Sequence, residues 1–213
     1  MCAHYERRQM ETLDQLGLKH GTDQASSFHD YCRTMDELLS PRRSLPVVFM
    51  EQGVLGGDGL RMWADYFTHP DTRIIGVDPH TFDRKPIDDR RVVIFQGSQC
   101  DSDLMSKIHA EYGAFDWVSD DASHFSSAQQ QAFGIIWPFV KPGGFWCCQD
   151  LHSYAAPELC DGNENVMQWL TRIATEMQGH GAKAVGKVYP TDQWSEVDWI
   201  MFRKGLAVIR KAI

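Results

Sequence analysis

PVVFMEQGVLGGDGLRMWADYF, Pro46 to Phe67, reads as a strand, a turn and a helix in succession. PVVFME (Pro46–Glu51) is a short, continuous apolar run of the kind buried on both faces of a sheet. It breaks at GVLGGDG, where glycines 53, 56, 57 and 59 allow a tight turn and a close approach of backbone to a ligand. GLRMWADYF then spaces its apolar residues as a helix with one buried face does.

The unit recurs along the chain. TRIIGVD (Thr72–Asp78) is a second β-rich run and RRVVIFQG (Arg90–Gly97) a third. AFDWVSDD (Ala114–Asp121) is the fourth and leads into the helical SAQQQAFGIIWPFV. KPGG is expected to break the chain before the fifth, FWCCQD (Phe145–Asp150). Apolar strands alternating with helices indicate a parallel sheet covered on both faces. The tail departs from this, because VDWIMFR and LAVIRK are separated only by Lys204 and Gly205. So short a turn joins antiparallel strands. The expected fold is α/β, a doubly wound seven-stranded sheet, mostly parallel, with a C-terminal antiparallel hairpin.

Bulk properties exclude several functions. A chain of 213 residues with 43% hydrophobic and 23% charged content reads as one globular domain. Its net charge of −8, with no Lys/Arg-rich run, argues against nucleic acid. No apolar stretch approaches the roughly 20 residues of a membrane span. MCAHYERRQMETLDQLG lacks the apolar core of a signal peptide, so a cytoplasmic location is expected. Six cysteines show no C-x-x-C pair and read as reduced, small apolar side chains. Cys147 and Cys148 are adjacent and should point to opposite faces of their strand. Trp63, Trp117 and Trp146 read as core.

Ligands of doubly wound sheets bind beyond the carboxyl ends of the strands. There the sequence puts Glu51, Asp78, Gln99 with Asp101, Asp120 with Asp121, and Gln149 with Asp150. Any one of these could simply cap a helix, but their recurrence at five strand ends points to a site. The glycine spacing G-x-x-G-G-x-G departs from the G-x-G-x-x-G of dinucleotide folds and weakens a nicotinamide reading. Asp78 follows about twenty residues later, where an acid accepts hydrogen bonds from ribose hydroxyls, so a nucleoside cofactor is expected. In DWVSDDASH (Asp116–His124) two adjacent carboxylates precede a histidine. Such a pair needs backbone N–H groups, an arginine or a metal ion to offset its repulsion.

E-x-G at strand one, GVD at strand two, KPGG before strand five and the final hairpin together resemble the class I S-adenosylmethionine-dependent methyltransferases, whose sheet is Rossmann-like. More narrowly, KHGTDQ, FHDY, LRMWADYF, FQGSQCD, DDASH and QDLHSY resemble the macrocin/mycinamicin-type sugar O-methyltransferases and their rhamnosyl methyltransferase and cephalosporin-tailoring relatives. Those carry HGTDK, LRMW..YF, GDQ.D, DDGSH and EDLHTSY, and the match runs from about His20 to Lys211. The resemblance implies Mg2+ ligation by Asp121, Gln149 and Asp150, with His124 as general base and Asp121 beside it in the catalytic set. It implies that Glu51 and Gly53 border the methionine part of S-adenosylmethionine and Asp78 its ribose. Gln99 and Asp101 then lie near adenine, with Asp120 beneath the cofactor. Residues 1–45 are expected to form a helical lid on a methyltransferase domain of 46–213, the two making one structural unit. His29 and Tyr31 either pack that lid or serve the site; His152 and Tyr154 follow the metal acids and are candidates to meet substrate, with capping of a turn as the alternative for His152.

Two residues depart from the family pattern. Gln149 replaces a glutamate and makes the ligand set less negative by one charge. Ala122 replaces the glycine of DDGSH, which suggests either a backbone without positive φ at that position or a strained turn. The implied activity is Mg-assisted O-methylation of a sugar or other hydroxylated small molecule in secondary metabolism, of the antibiotic-biosynthesis kind. Altered, non-methylating chemistry on the same fold and a non-catalytic S-adenosylmethionine-binding partner stay open, as does homo-oligomerisation. The loops Asp83 to Arg90 and Ala155 to Asn165 are expected to face the substrate.

Overall fold

The computed structural model describes residues 10–80, 86–179 and 194–213. The first part of the N-terminal stretch, Cys2 included, and residues 83–85 of one expected substrate loop lie outside them.

The strands follow the apolar runs. They are β1 (Val48–Gln52), β2 (Arg73–Asp78), β3 (Val92–Gln96), β4 (Phe115–Asp120), β5 (Val140–Cys148), β6 (Val197–Arg203) and β7 (Leu206–Lys211). The helices are α1 (Leu13–His20), α2 (Tyr31–Leu39), α3 (Asp58–Tyr66), α4 (Ser102–Tyr112), α5 (Ser126–Ile136) and α6 (Val166–Glu176). One seven-stranded sheet has the order β3-β2-β1-β4-β5-β7-β6. β3 through β5 are parallel, and β7 pairs antiparallel with both β5 and β6. The hairpin therefore contributes one reversed strand, as its two-residue turn requires. Between β1 and β4 the direction of strand addition reverses, which leaves a crevice at their carboxyl ends.

The sheet is covered on both faces. Leu60 and Trp63 of α3, with Leu13, Leu16, Met35 and Leu39 of α1 and α2, pack on the face that carries Trp117 and Cys147. Met105, Phe133 and Trp169 from α4, α5 and α6 pack on the face that carries Trp146 and Cys148. The adjacent cysteines thus do point to opposite faces, and the described cysteines are free thiols. Trp63, Trp117 and Trp146 are fully buried.

One strand differs from expectation. KPGG does not break the chain before β5 but lies within it. β4 pairs Phe115 with Val140 and then Trp117 with Phe145, so residues 141–144 bulge opposite Asp116. Asp116 holds the bulge in place: Oδ2 accepts from Lys141 Nζ at 2.6 Å and from Val48 N–H at 2.8 Å. Arg42 Nη2 donates to the Gly143 carbonyl at 2.7 Å. A bulge absorbs the extra residues without ending the ladder. Among the described residues no helix is long and apolar enough to cross a membrane.

Candidate active site

A cavity of about 490 Å³ opens at the β1/β4 crevice, walled by residues 21–24, the glycine turn, the end of β2, residues 98–100 and 121–124, and Asp150. The sheet itself aligns part of its floor. Gly53 N–H donates to Val77 O, Asp121 N–H to Gln52 O and Gln149 N–H to Asp120 O at 2.8, 2.9 and 3.0 Å. The ladder thereby runs one residue past the strands and sets Gly53, Asp121 and Gln149 abreast. Gly53 has φ +90°, and a Cβ there would fall 1.9 Å from the Asp121 carbonyl oxygen. Only glycine fits that approach.

Glu51, Gly53, Asp78, Gln99, Asp121, His124 and Asp150 all reach the cavity wall. Glu51 is buried and accepts from Gln24 Nε2 at 2.8 Å and Trp63 Nε1 at 3.4 Å. Burial lifts its carboxyl to about 7 against those two hydrogen bonds. Asp78 Oδ2 accepts from Val54 and Leu55 N–H, each at 2.9 Å, and Oδ1 from His80 N–H at 2.8 Å. This acid clamps the glycine turn to the end of β2, a role its spacing did not reveal.

Three expected residues stand off the wall. Asp101 is not itself a lining residue, although Cys100 beside it is: its Oδ1 caps α4, accepting from Asp103 and Leu104 N–H at 3.1 and 3.0 Å. It makes this cap because it immediately precedes a helix with free N–H groups. Asp120 is fully buried behind the wall and accepts from Gln99 Nε2 at 3.2 Å, while Gln99 Oε1 takes the Ser123 N–H at 3.1 Å. Burial lifts Asp120 to about 7, opposed by the Ala122 N–H and Gln99. Gln149 is also fully buried, and its Nε2 donates to Ser119 Oγ at 3.3 Å. Its Oε1 has no hydrogen-bond partner among the described residues.

The carboxylates answer the question raised by DWVSDDASH. Among the described residues neither Asp121 nor Asp150 pairs with a lysine or arginine; the basic side chains near Asp150 are the imidazoles of His29, His124 and His152. Asp121 is half-buried, its open side on the cavity. Burial holds its carboxyl well above the usual range, and the charges of Asp150, Glu51, Asp23 and Asp120 push the same way. Crowded acids without an internal counter-charge call for an external cation. His124 Nε2 lies 3.4 Å from Asp150 Oδ2. Burial lowers the His124 pKa, with Asp150 opposing, so the imidazole is neutral near pH 7. Ala122 has no positive φ, but His124 and Asp150 do, at +57° and +54°. Such strained non-glycine positions cluster at functional sites.

Two contacts went unread in the sequence. The Tyr31 hydroxyl donates to Asp150 Oδ1 at 2.8 Å, and its ring stacks on His29 at 4.9 Å. Gly205 (φ +72°) leaves room for that phenol, since a Cβ there would sit 2.6 Å from the hydroxyl oxygen. Gln24 was likewise missed, although it lies in the KHGTDQ stretch that carried the resemblance.

No family model matches the sequence. The 8-demethyl-8-(2-methoxy-alpha-L-rhamnosyl)-tetracenomycin-C 3'-O-methyltransferase of Streptomyces olivaceus is 34% identical over 152 residues, 68% of this chain and 38% of that protein. Mycinamicin VI 2''-O-methyltransferase of Micromonospora griseorubida is 30% identical over 165 residues, 70% of this chain and 40% of that one. The chain is thus a relative of the macrocin/mycinamicin-type sugar O-methyltransferases. In three dimensions it superimposes on the MycE methyltransferase of the mycinamycin pathway with a TM-score of 0.83 at 24% identity, covering 96% of this chain and 55% of that one. That protein was solved in complex with Mg and SAH, and also with Mg, SAH and mycinamycin VI. At that identity the match establishes the shared fold. The chain spans about half the length of the relatives it matches, or less.

Proposed function

We propose that the chain catalyses S-adenosylmethionine-dependent, Mg2+-assisted methylation of a hydroxyl on a sugar or other small-molecule natural product. The observation that carries this reading is the row of Asp121, Gln149 and Asp150 beside His124, with no lysine or arginine among the described residues to neutralise the acids. The donor set suits the ion: two carboxylates and the orphaned Gln149 Oε1 are hard oxygens, which Mg2+ prefers. Asp121, Gln149 and Asp150 would hold it. When bound, S-adenosylmethionine supplies the methyl group and Mg2+ supplies Lewis acidity toward the acceptor hydroxyl.

The chain's own residues do the rest. His124 Nδ1 is enclosed, so Nε2 is the nitrogen an acceptor hydroxyl can reach. It takes the hydroxyl proton, and Asp150 at 3.4 Å stabilises the imidazolium that results. Glu51 and Gly53 border the amino-acid end of the cofactor, Asp78 the ribose and Gln99 the adenine, with Asp120 holding Gln99 from behind. Residues 21–24 wall the cavity, and the 1–45 segment acts as a lid that excludes water. Alignment of acceptor oxygen and methyl group within these walls supplies much of the rate. The neutral Gln149 favours a second reading, a methyltransferase-fold enzyme with altered, non-methylating chemistry. Binding calorimetry with S-adenosylhomocysteine and NAD, then transfer of labelled methyl to hydroxylated glycosides, tests the first. A chain that binds NAD and ignores S-adenosylhomocysteine overturns it. Cofactor binding with no transfer to any acceptor moves the second ahead.

A further inference from the structure

Asp150 uses its two oxygens differently. Oδ2 is the one near His124, whereas Oδ1 lies 3.5 Å from His29 Nε2 and 4.0 Å from His152 Nδ1. These three ligand atoms all lie within 4.8 Å of one another. Metal–ligand bonds of roughly 2.0–2.2 Å in a tetrahedral set bring ligand atoms about 3.3–3.5 Å apart. Small side-chain rotations reach that spacing. The His29 and His152 rings already stack, with centroids 5.5 Å apart and planes 22° from parallel. His29 comes from the segment before α2 and His152 from the loop after β5, so an ion here would tie the N-terminal segment to the site.

We propose that His29, Asp150 and His152 form a second cation site, selective for a first-row transition-metal dication of the Zn2+ type. Two imidazoles and one carboxylate suit such ions, whereas Mg2+ prefers an all-oxygen set. The His152 side chain is 62% exposed, which leaves coordination positions open to water. The site needs no methyl-transfer activity, so it stands or falls apart from the proposed reaction. Sharing Asp150, it would also weaken Mg2+ binding on the Oδ2 side by repulsion between the two dications.

The test is Zn2+ titration into the full metal-free chain against a chromophoric chelator, with Co2+ as a spectroscopic probe. Loss of an outer-shell contact alone costs metal affinity ten- to hundredfold, so His29→Gln and His152→Gln should each weaken Zn2+ by at least about tenfold. His124→Gln should leave that affinity nearly unchanged. Bound Co2+ should show visible d–d bands without a thiolate charge-transfer band. Wild-type affinity in His152→Gln, whose exposed position spares the fold, would overturn the proposal. So would loss of Zn2+ in His124→Gln alone, or a thiolate band placing the ion on a cysteine.

Discussion

At the scale of single residues, charge and proton position decide the outcome. His124→Ala should lower methyl transfer by about 10²–10⁴-fold while leaving S-adenosylhomocysteine affinity nearly unchanged, read by steady-state kinetics and calorimetry. Gln149→Glu adds a negative charge to the Asp121–Asp150 row. Two unit charges about 4 Å apart interact by roughly 4 kcal/mol at an effective dielectric near 20. Desolvation and repulsion from Asp150 offset much of that, leaving a net gain of about 1–2 kcal/mol, or roughly tenfold tighter Mg2+ binding. Mg2+ titration of both proteins with cofactor present measures it; equal affinities would mean that residue 149 does not touch the ion. Glu51 sets a pH dependence. Its folded pKa is about 7, above the ordinary 4.5, because the ionised form is buried. The folded state therefore binds this proton more tightly, and the resulting stability is present below pH 4.5 and lost as pH rises through about 7. At 1.36 kcal/mol per unit the change is roughly 3 kcal/mol. In ligand-free protein, Glu51→Gln should remove this loss, so its melting temperature relative to wild type should rise from pH 4.5 to pH 8.

At the scale of elements, buried polar links hold irregular geometry in place. Asp116 joins the start of β1, the β5 bulge and, at 3.5 Å, Arg42 Nη1. Asp116→Ala leaves the Val48 N–H without its acceptor and the bulge without its tie to Lys141, and should cost about 1–3 kcal/mol by denaturant unfolding. The bulge also shows why β5 was misread at its start. Pro and Gly in KPGG signal a break in any local reading. The strand continues because β4 offers pairing partners on both sides of residues 141–144, and those partners are remote in sequence.

At the scale of the whole molecule, the N-terminal segment belongs to the core as well as to the cavity wall. Leu13, Leu16, Tyr31, Met35 and Leu39 are buried in one cluster with Trp63 and Trp117. Each such aliphatic or aromatic side chain contributes roughly 1.5–3 kcal/mol by burial, so the joint loss of these five, roughly 7.5–15 kcal/mol, is as large as the whole stability of an ordinary domain, about 5–15 kcal/mol. Deleting residues 1–45 should thus yield unfolded or aggregated protein by circular dichroism and gel filtration. A folded truncation with an open site would instead show the segment to be a separable lid.

Local pattern alone determined the alternating strands and helices, the reversed C-terminal strand, the opposite faces of Cys147 and Cys148, and the acids at the strand ends. Those features depend on periodicity and turn length, which neighbouring residues set. Only the tertiary structure decided which acids face the cavity. Asp101 and Asp121 look alike as strand-end acids, yet one caps a helix, and the other is held abreast of Gly53 and Gln149 by the ladder. The Tyr31–Asp150 hydrogen bond spans 119 residues, and it exists because α2 packs where the Gly205 turn leaves space. No spacing rule encodes such a contact, since it follows from register and packing between elements far apart in the chain.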